Sequence, residues 1–176
     1  LNDNAIGDEG AAALADALRV RNNASLTGLY LFNNNIGDAG ALVLADALRS
    51  LTILDLMANK IGDAGATALA AALRVNDSLT GLDLFKNRIG KEGAKALADA
   101  LRVNGSLTKL DLGCNIIGDE GAAAIADALR TNKSLTVLSL WKNWIGDAGA
   151  TALAEALRVN TSLRRRGCRL SLFVKG

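Results

Sequence analysis

The chain of 176 residues contains no histidine, no proline, two cysteines and six aromatic residues. Each shortage removes a class of chemistry. Without an imidazole there is no histidine general base, no Ser-His or Cys-His nucleophile and no histidine-ligated metal. Cys114 and Cys168 cannot supply a four-thiolate zinc site. Two cysteines in a chain this long are not a disulfide framework, which fits a reducing, cytoplasmic location. Zero proline excludes a proline-rich linker. No apolar run approaches ~18 residues, so no segment reads as a membrane span.

What is present is as skewed as what is missing. Alanine (32) and leucine (31) dominate, with 18 glycines. Half of the residues are hydrophobic, which argues against disorder. Such usage points to one short unit copied many times. Net charge is +2. It divides unevenly: Arg164, Arg165, Arg166, Arg169 and Lys175 stand in a tail without acids, so residues 1–162 are mildly acidic. That body lacks the clustered Lys and Arg of a nucleic-acid surface.

Aligning on one asparagine exposes the period. Asn4, Asn34, Asn59, Asn87, Asn115 and Asn143 are each followed two residues later by an Ile-Gly pair, at steps of 30, 25, 28, 28 and 28. The unit reads S-L-T-x-L-x-L-x-x-N-x-I-G-D-x-G-A-x-x-L-A-x-A-L-R-x-N. The long step carries two extra residues within Arg19–Ser25, and the short step lacks three around Arg49-Ser50-Leu51. Both fall between helix and strand, where length changes are best tolerated. Leu82 and Leu84 alternate with Gly81, Asp83 and Phe85, the period of a strand with one buried face. Ala94, Leu97 and Leu101 follow the period of an amphipathic helix. Asp8, Asp38, Asp63, Asp119 and Asp147 stand where each helix begins and read as its N-cap. Lys91 replaces that Asp once, which predicts a start for its own helix weaker by roughly 1 kcal/mol.

A strand-turn-helix unit of this size cannot bury its own apolar face, so copies must stack. Parallel strands pair ~4.8 Å apart, whereas helices need ~8–10 Å. The stack bends, with strands inside and helices outside. The expected fold is an α/β curved solenoid, a horseshoe of parallel β-strands on the concave face and α-helices on the convex face. It runs over residues 1–162, with a partial first copy expected to fray. Residues 163–176 form an irregular basic cap or tail, in which Leu170, Leu172, Phe173 and Val174 can supply a last strand.

This motif, recurring six times over about residues 1–163, resembles the ribonuclease-inhibitor type of leucine-rich repeat, in wording closest to the NOD-like-receptor style. The resemblance is specific for fold and not for function. It implies a non-catalytic, protein-binding module, and admits two alternatives: a GTPase-activating regulator similar to the Ran type, or a ligand-sensing segment of a NOD-like receptor. The acidic C-terminal stretch expected of the Ran type is absent.

Most repeated positions have structural work. Leu29, Leu31, Leu54, Leu56, Leu82, Leu84, Leu110, Leu112, Leu138 and Leu140 are expected to fill the core behind the sheet, each costing ~2–5 kcal/mol when cut to alanine. Asn34, Asn59, Asn87, Asn115 and Asn143 read as a ladder of amides that satisfies the backbone where strand turns to helix. Acids three residues before an Arg, such as Asp16, Asp46, Asp99, Asp127 and Glu155, read as solvated i,i+3 pairs.

Function is expected at the variable columns. The first holds Tyr30, Asp55, Asp83, Asp111 and Ser139; the second Asn2, Phe32, Met57, Phe85, Gly113 and Trp141; the third Asp3, Asn33, Ala58, Lys86, Cys114 and Lys142. Past the Asn come Ala5, Asn35, Lys60, Arg88, Ile116 and Trp144. Five of the six aromatics lie in these columns, where a core of Leu, Ile and Ala has no use for them. Aromatics and Met are enriched at interface hot spots. The competing reading is lateral packing along Phe32, Met57 and Phe85. Three stacked aspartates without an enclosing loop make a poor cation site or catalytic pair and read as an acidic stripe. The expected partner surface is therefore Tyr30, Phe32, Asp55, Met57, Asp83, Phe85, Lys86, Asp111, Trp141, Lys142 and Trp144. The partner is a protein, with no cofactor, metal, nucleic acid or membrane, and the chain is monomeric.

Overall fold

The computed structural model describes residues 1–19, 26–163 and 169–171. Helices and strands alternate: α1 (Asp8–Arg19), β1 (Gly28–Tyr30), α2 (Asp38–Ala45), β2 (Ile53–Asp55), α3 (Asp63–Leu73), β3 (Gly81–Asp83), α4 (Lys91–Leu101), β4 (Lys109–Asp111), α5 (Gly118–Thr131), β5 (Val137–Ser139), α6 (Asp147–Val159) and β6 (Arg169–Ser171). The six strands form one parallel sheet in chain order. Equivalent repeat positions pair throughout, as in Leu54↔Leu82 and Leu82↔Leu110. The result is a curved solenoid with one layer of strands and one of helices.

The core lies between the layers. All ten strand-side leucines are buried, the most accessible being Leu29 at 6%. Behind them sit Ile36, Ile61, Ile89, Ile117 and Ile145 from the turns and Leu44, Leu69, Leu97, Ile125 and Leu153 from the helices. Alanine lines the helix seams because neighbouring helices come close. A Cβ added at Gly65 would lie 3.0 Å from Ala41 Cβ of the preceding helix.

Side-chain amides stitch the copies together. Asn59 donates to the Leu31, Leu56 and Met57 carbonyls, and its Oδ1 accepts the Ile36 N–H. Asn34, Asn87, Asn115 and Asn143 repeat the pattern. A second ladder, which the sequence reading passed over, runs along the helix ends. Asn104 donates to the Leu73 and Asn76 carbonyls, Asn132 to Leu101 and Asn104, and Asn160 to Leu129 and Asn132. Its only sequence signal was the Asn two residues before each Ser-Leu.

The aspartate column works differently from expectation. These residues do not cap their own helices. Gly37 and Gly40 donate their N–H groups to Asp8 Oδ1 at 2.7 and 3.0 Å, so Asp8 at the start of α1 caps α2. Asp38 caps α3, Asp63 caps α4 and Asp119 caps α6 in the same way. The carboxylate reaches one repeat forward because the stacked helix starts lie side by side. Lys91 therefore leaves its own helix intact and removes the acceptor from α5. There the Gly118 N–H turns round and donates to the Asn143 carbonyl at 2.9 Å. Gly118 takes φ +65°, which its missing side chain permits. Lys91 and Lys95 instead pair with Glu120 at 2.9 and 3.2 Å.

The three-residue deletion shortens α2 to 8 residues, followed by a 3₁₀ turn over Leu48–Ser50. Asp46 consequently lies beyond the helix and meets Arg19 of α1 at 3.4 Å. Arg19, Arg102 and Arg130 do pair with the acid three residues earlier. Most of the tail, including Leu172, Phe173 and Val174, lies outside the described residues; Arg169–Ser171 pairs with β5.

Candidate partner-binding surface

Strand alternation fixes which residues leave the core. Within each x-Leu-x strand the central Leu points inward, and the residues on either side share the opposite, concave face. One concave row is Tyr30, Asp55, Asp83, Asp111 and Ser139, as expected. The other is Gly28, Ile53, Gly81, Lys109 and Val137, which the sequence reading missed although the same period of two implies it. From these rows Ile53, Gly81, Asp83, Lys109, Asp111 and Val137 line a shallow hollow of about 590 Å³ across β2 to β5. Gly81 opens its floor: a Cβ there would meet only Ile53 Cγ1, at 3.8 Å. Tyr30 is 46% exposed at one end, its ring folded over Gly28.

The three aspartates lie in register on adjacent strands. Each Oδ1 accepts the N–H two residues on, from Met57, Phe85 and Gly113, at 2.8 to 3.0 Å. The stripe thus terminates the strands as well as presenting charge. Burial pushes the Asp83 carboxyl up to about 6, opposed by the Phe85 N–H and reinforced by Asp111 and Asp55 on either side. Among the described residues no group of three His, Cys, Asp or Glu is placed to hold a metal ion, and no helix is long and apolar enough to cross a membrane.

After the second core Leu the backbone turns sharply. Asn33, Ala58, Lys86, Cys114 and Lys142 all have φ between 51° and 55°, so the third column sits in the left-handed region. Nothing in the residue types announced this, because none is glycine. The turn lifts Lys86 and Lys142 into solvent along the rim made by the strand-to-helix loops.

The side chains of the second column, Phe32, Met57, Phe85 and Trp141, are half-buried. Phe85 stacks on Trp141, two repeats away, with centroids 5.2 Å apart and planes at 26°. Gly113 of the intervening repeat makes this possible: a Cβ there would lie 2.5 Å from Trp141 Nε1 and 3.0 Å from Phe85 Cδ2. Lys142 Nζ lies 5.0 Å over the Trp141 ring. Phe32 and Met57 remain half-buried nearer the N-terminal end. Trp144, in the column past the Asn, is 71% exposed.

Geometry alone defines the molecule as a stack of strand–helix repeats, a solenoid that presents an open strand face. Comparison with known proteins is consistent with that class. The leucine-rich repeat family model matches residues 1–15, 22–45, 47–70, 75–98, 103–126 and 131–154, and the chain belongs to the leucine-rich repeat family. No curated protein matches it by sequence. Among solved structures it is similar to actin-binding site 2 of leiomodin-1, with 22% identity, TM-score 0.65, and 85% of this chain and 87% of that one covered. An internalin from Listeria monocytogenes aligns at 21% identity and TM-score 0.40, over 94% of this chain and 51% of that one.

Proposed function

We propose that this chain is a non-catalytic protein-recognition module whose partner seats on the concave strand face. The observation that carries this reading is the open double row of side chains on β2 to β5. Ile53 (39% exposed) and Val137 supply apolar area, Lys109, Asp55, Asp83 and Asp111 supply charge, and Gly81 leaves room for an incoming side chain. The leucine core behind the sheet is closed without these side chains. Family membership supports the same class of function. The leiomodin-1 structure, itself an actin-binding site, supports only the fold at this identity.

The finer reading is a monomer of the ribonuclease-inhibitor type in a reducing, cytoplasmic setting. A full α-helix in five of the repeats supports the subclass. The half-buried free thiol of Cys114 supports the compartment.

Capture of proteins by the immobilised chain tests the proposal. Ile53→Glu with Lys109→Glu is expected to lose the proteins that the unaltered chain enriches, while Asp127→Lys with Glu155→Lys on the helix face retains them. Phe85 and Trp141 make a poorer test pair, because each supports the other. Capture that survives the concave change and fails with the helix-face change would assign recognition to the convex side.

A further inference from the structure

We propose that the rim of the strand-to-helix loops is a second contact surface, and that it takes an acidic segment of a protein partner carrying a large apolar side chain. The proposal rests on the protein-recognition reading above and adds a place and a chemistry to it. Trp144 is 71% exposed and Ile116, in the same column of the preceding repeat, is 58% exposed. The strands of adjacent repeats stand ~5 Å apart, so the two exposed apolar side chains belong to neighbouring loops. An aromatic and an Ile held in water side by side are more than scattered surface hydrophobes.

The surroundings of this patch are cationic. Along the same column come Arg88 and Lys60, and along the neighbouring one Lys86 and Lys142, all exposed. On the helices, Arg19, Lys91, Lys95, Arg102 and Arg130 each meet a carboxylate within 4.0 Å. Lys60, Lys86 and Arg88 meet none among the described residues, and Lys142 lies over Trp141. Three cations without a carboxylate among the described residues, with Lys142 exposed near them, are complementary to carboxylates flanking a large side chain. A nucleic acid fits less well, because its bases stack on aromatic faces, whereas Ile116 beside Trp144 suits an apolar protein side chain.

Backbone geometry singles out Trp144 independently. It has φ +59°, whereas Asn35, Lys60, Arg88 and Ile116 in its column do not leave the ordinary region. A bulky aromatic there is an outlier. Its origin is the reversed peptide at Gly118: the Gly118 N–H has taken the Asn143 carbonyl, and the loop of the last full repeat is re-aimed. The Lys91 substitution one repeat earlier thus propagates to the direction in which Trp144 is presented. Outliers of this kind concentrate at sites of function.

The test uses the full chain and a labelled peptide with a Leu-Phe pair flanked by aspartates, read by fluorescence anisotropy. The same peptide with lysines for aspartates and a single-stranded RNA serve as competitors. Binding of the acidic peptide is expected to weaken as salt rises. Lys86→Glu with Arg88→Glu, and separately Trp144→Asn, which suits a left-handed φ, are each expected to weaken it by about tenfold or more. Ile116→Asp is a second apolar variant that leaves the Trp144 turn alone. Ile53→Glu with Lys109→Glu is expected to bind the peptide as the unaltered chain does, so failure of the concave reading and failure of this one are distinguishable. Equal binding of the lysine peptide, tighter binding of the RNA, or indifference to all three rim variants would overturn the proposal.

Discussion

Gly113 holds the aromatic part of the surface in place, because the Phe85–Trp141 stack passes over the space where its side chain would be. Gly113→Val is expected to push Trp141 outward, shift tryptophan emission to the red and cost about 0.5–1.5 kcal/mol, the worth of one aromatic pair. Unchanged emission would mean that the stack does not depend on the gap. Asp83 is expected to report through pH. Its carboxyl rises to about 6 in the fold, from 3.8, so the folded state holds the proton more tightly than the unfolded chain does. The stabilisation from that proton is full below pH ~4 and is lost as pH climbs through about 6. Asp83→Asn keeps an oxygen for the Phe85 N–H and removes the charge. It is expected to raise the denaturation midpoint at pH 7 and to have little effect at pH 4. At this scale the sequence was readable where a residue repeats: the Leu and Asn columns are where their period puts them. Contacts between different columns were not readable. Trp141 meets Phe85 because Gly113 lies between them, and that depends on three residues from three repeats.

Helix starts in this fold are capped from the repeat before, which moves the consequence of Lys91 to α5. Asp38→Ala is expected to weaken the start of α3 by about 1–2 kcal/mol, seen as faster amide exchange at Gly62 and Gly65. Lys91→Asp restores an acceptor facing Gly118 and Gly121. The capping gain of about 1 kcal/mol exceeds what is lost with the solvent-screened Lys91–Glu120 pair. The two sites are also expected to couple. Gly118→Ala costs about 1 kcal/mol while Gly118 is at φ +65°, and less once Lys91→Asp lets the peptide turn back. Additive effects in that double-mutant cycle would sever Lys91 from the reversed peptide. The aspartates were legible as caps because acids at helix starts are common. The recipient was not legible, since it stands roughly a repeat away in the chain and only stacking brings it near.

Across the whole molecule, stability is a sum of repeats and the seams between them, so the poorest seam decides where the array opens. The seams made by the short α2 are the poorest, and the one it shares with α3 is where the deletion acts. The deletion shortens α2, and a hollow of about 460 Å³ lies there, lined by Ala45, Leu48, Arg49, Ala72 and Val75. It also removes a rung. Asn104, Asn132 and Asn160 each donate to two carbonyls of the preceding repeat, whereas Asn76 donates to one among the described residues, at Leu48, because the position of the missing Asn is gone. The irregular spacing was plain in the sequence; that it would cost a rung was not, because the second ladder had not been recognised. Amides of β1 and α2 are therefore expected to exchange through a lower-energy opening than those of α4 to α6. Inserting Val-Asn-Asp between Arg49 and Ser50, the residues found at the matching place after Arg74, restores the spacing, the helix end and the rung. It is expected to raise the protection of β1 and α2 towards that of the later repeats, and to raise the denaturation midpoint without loss of cooperativity. Uniform protection along the unaltered chain, or no gain on insertion, would show that the leucine core alone carries the seam.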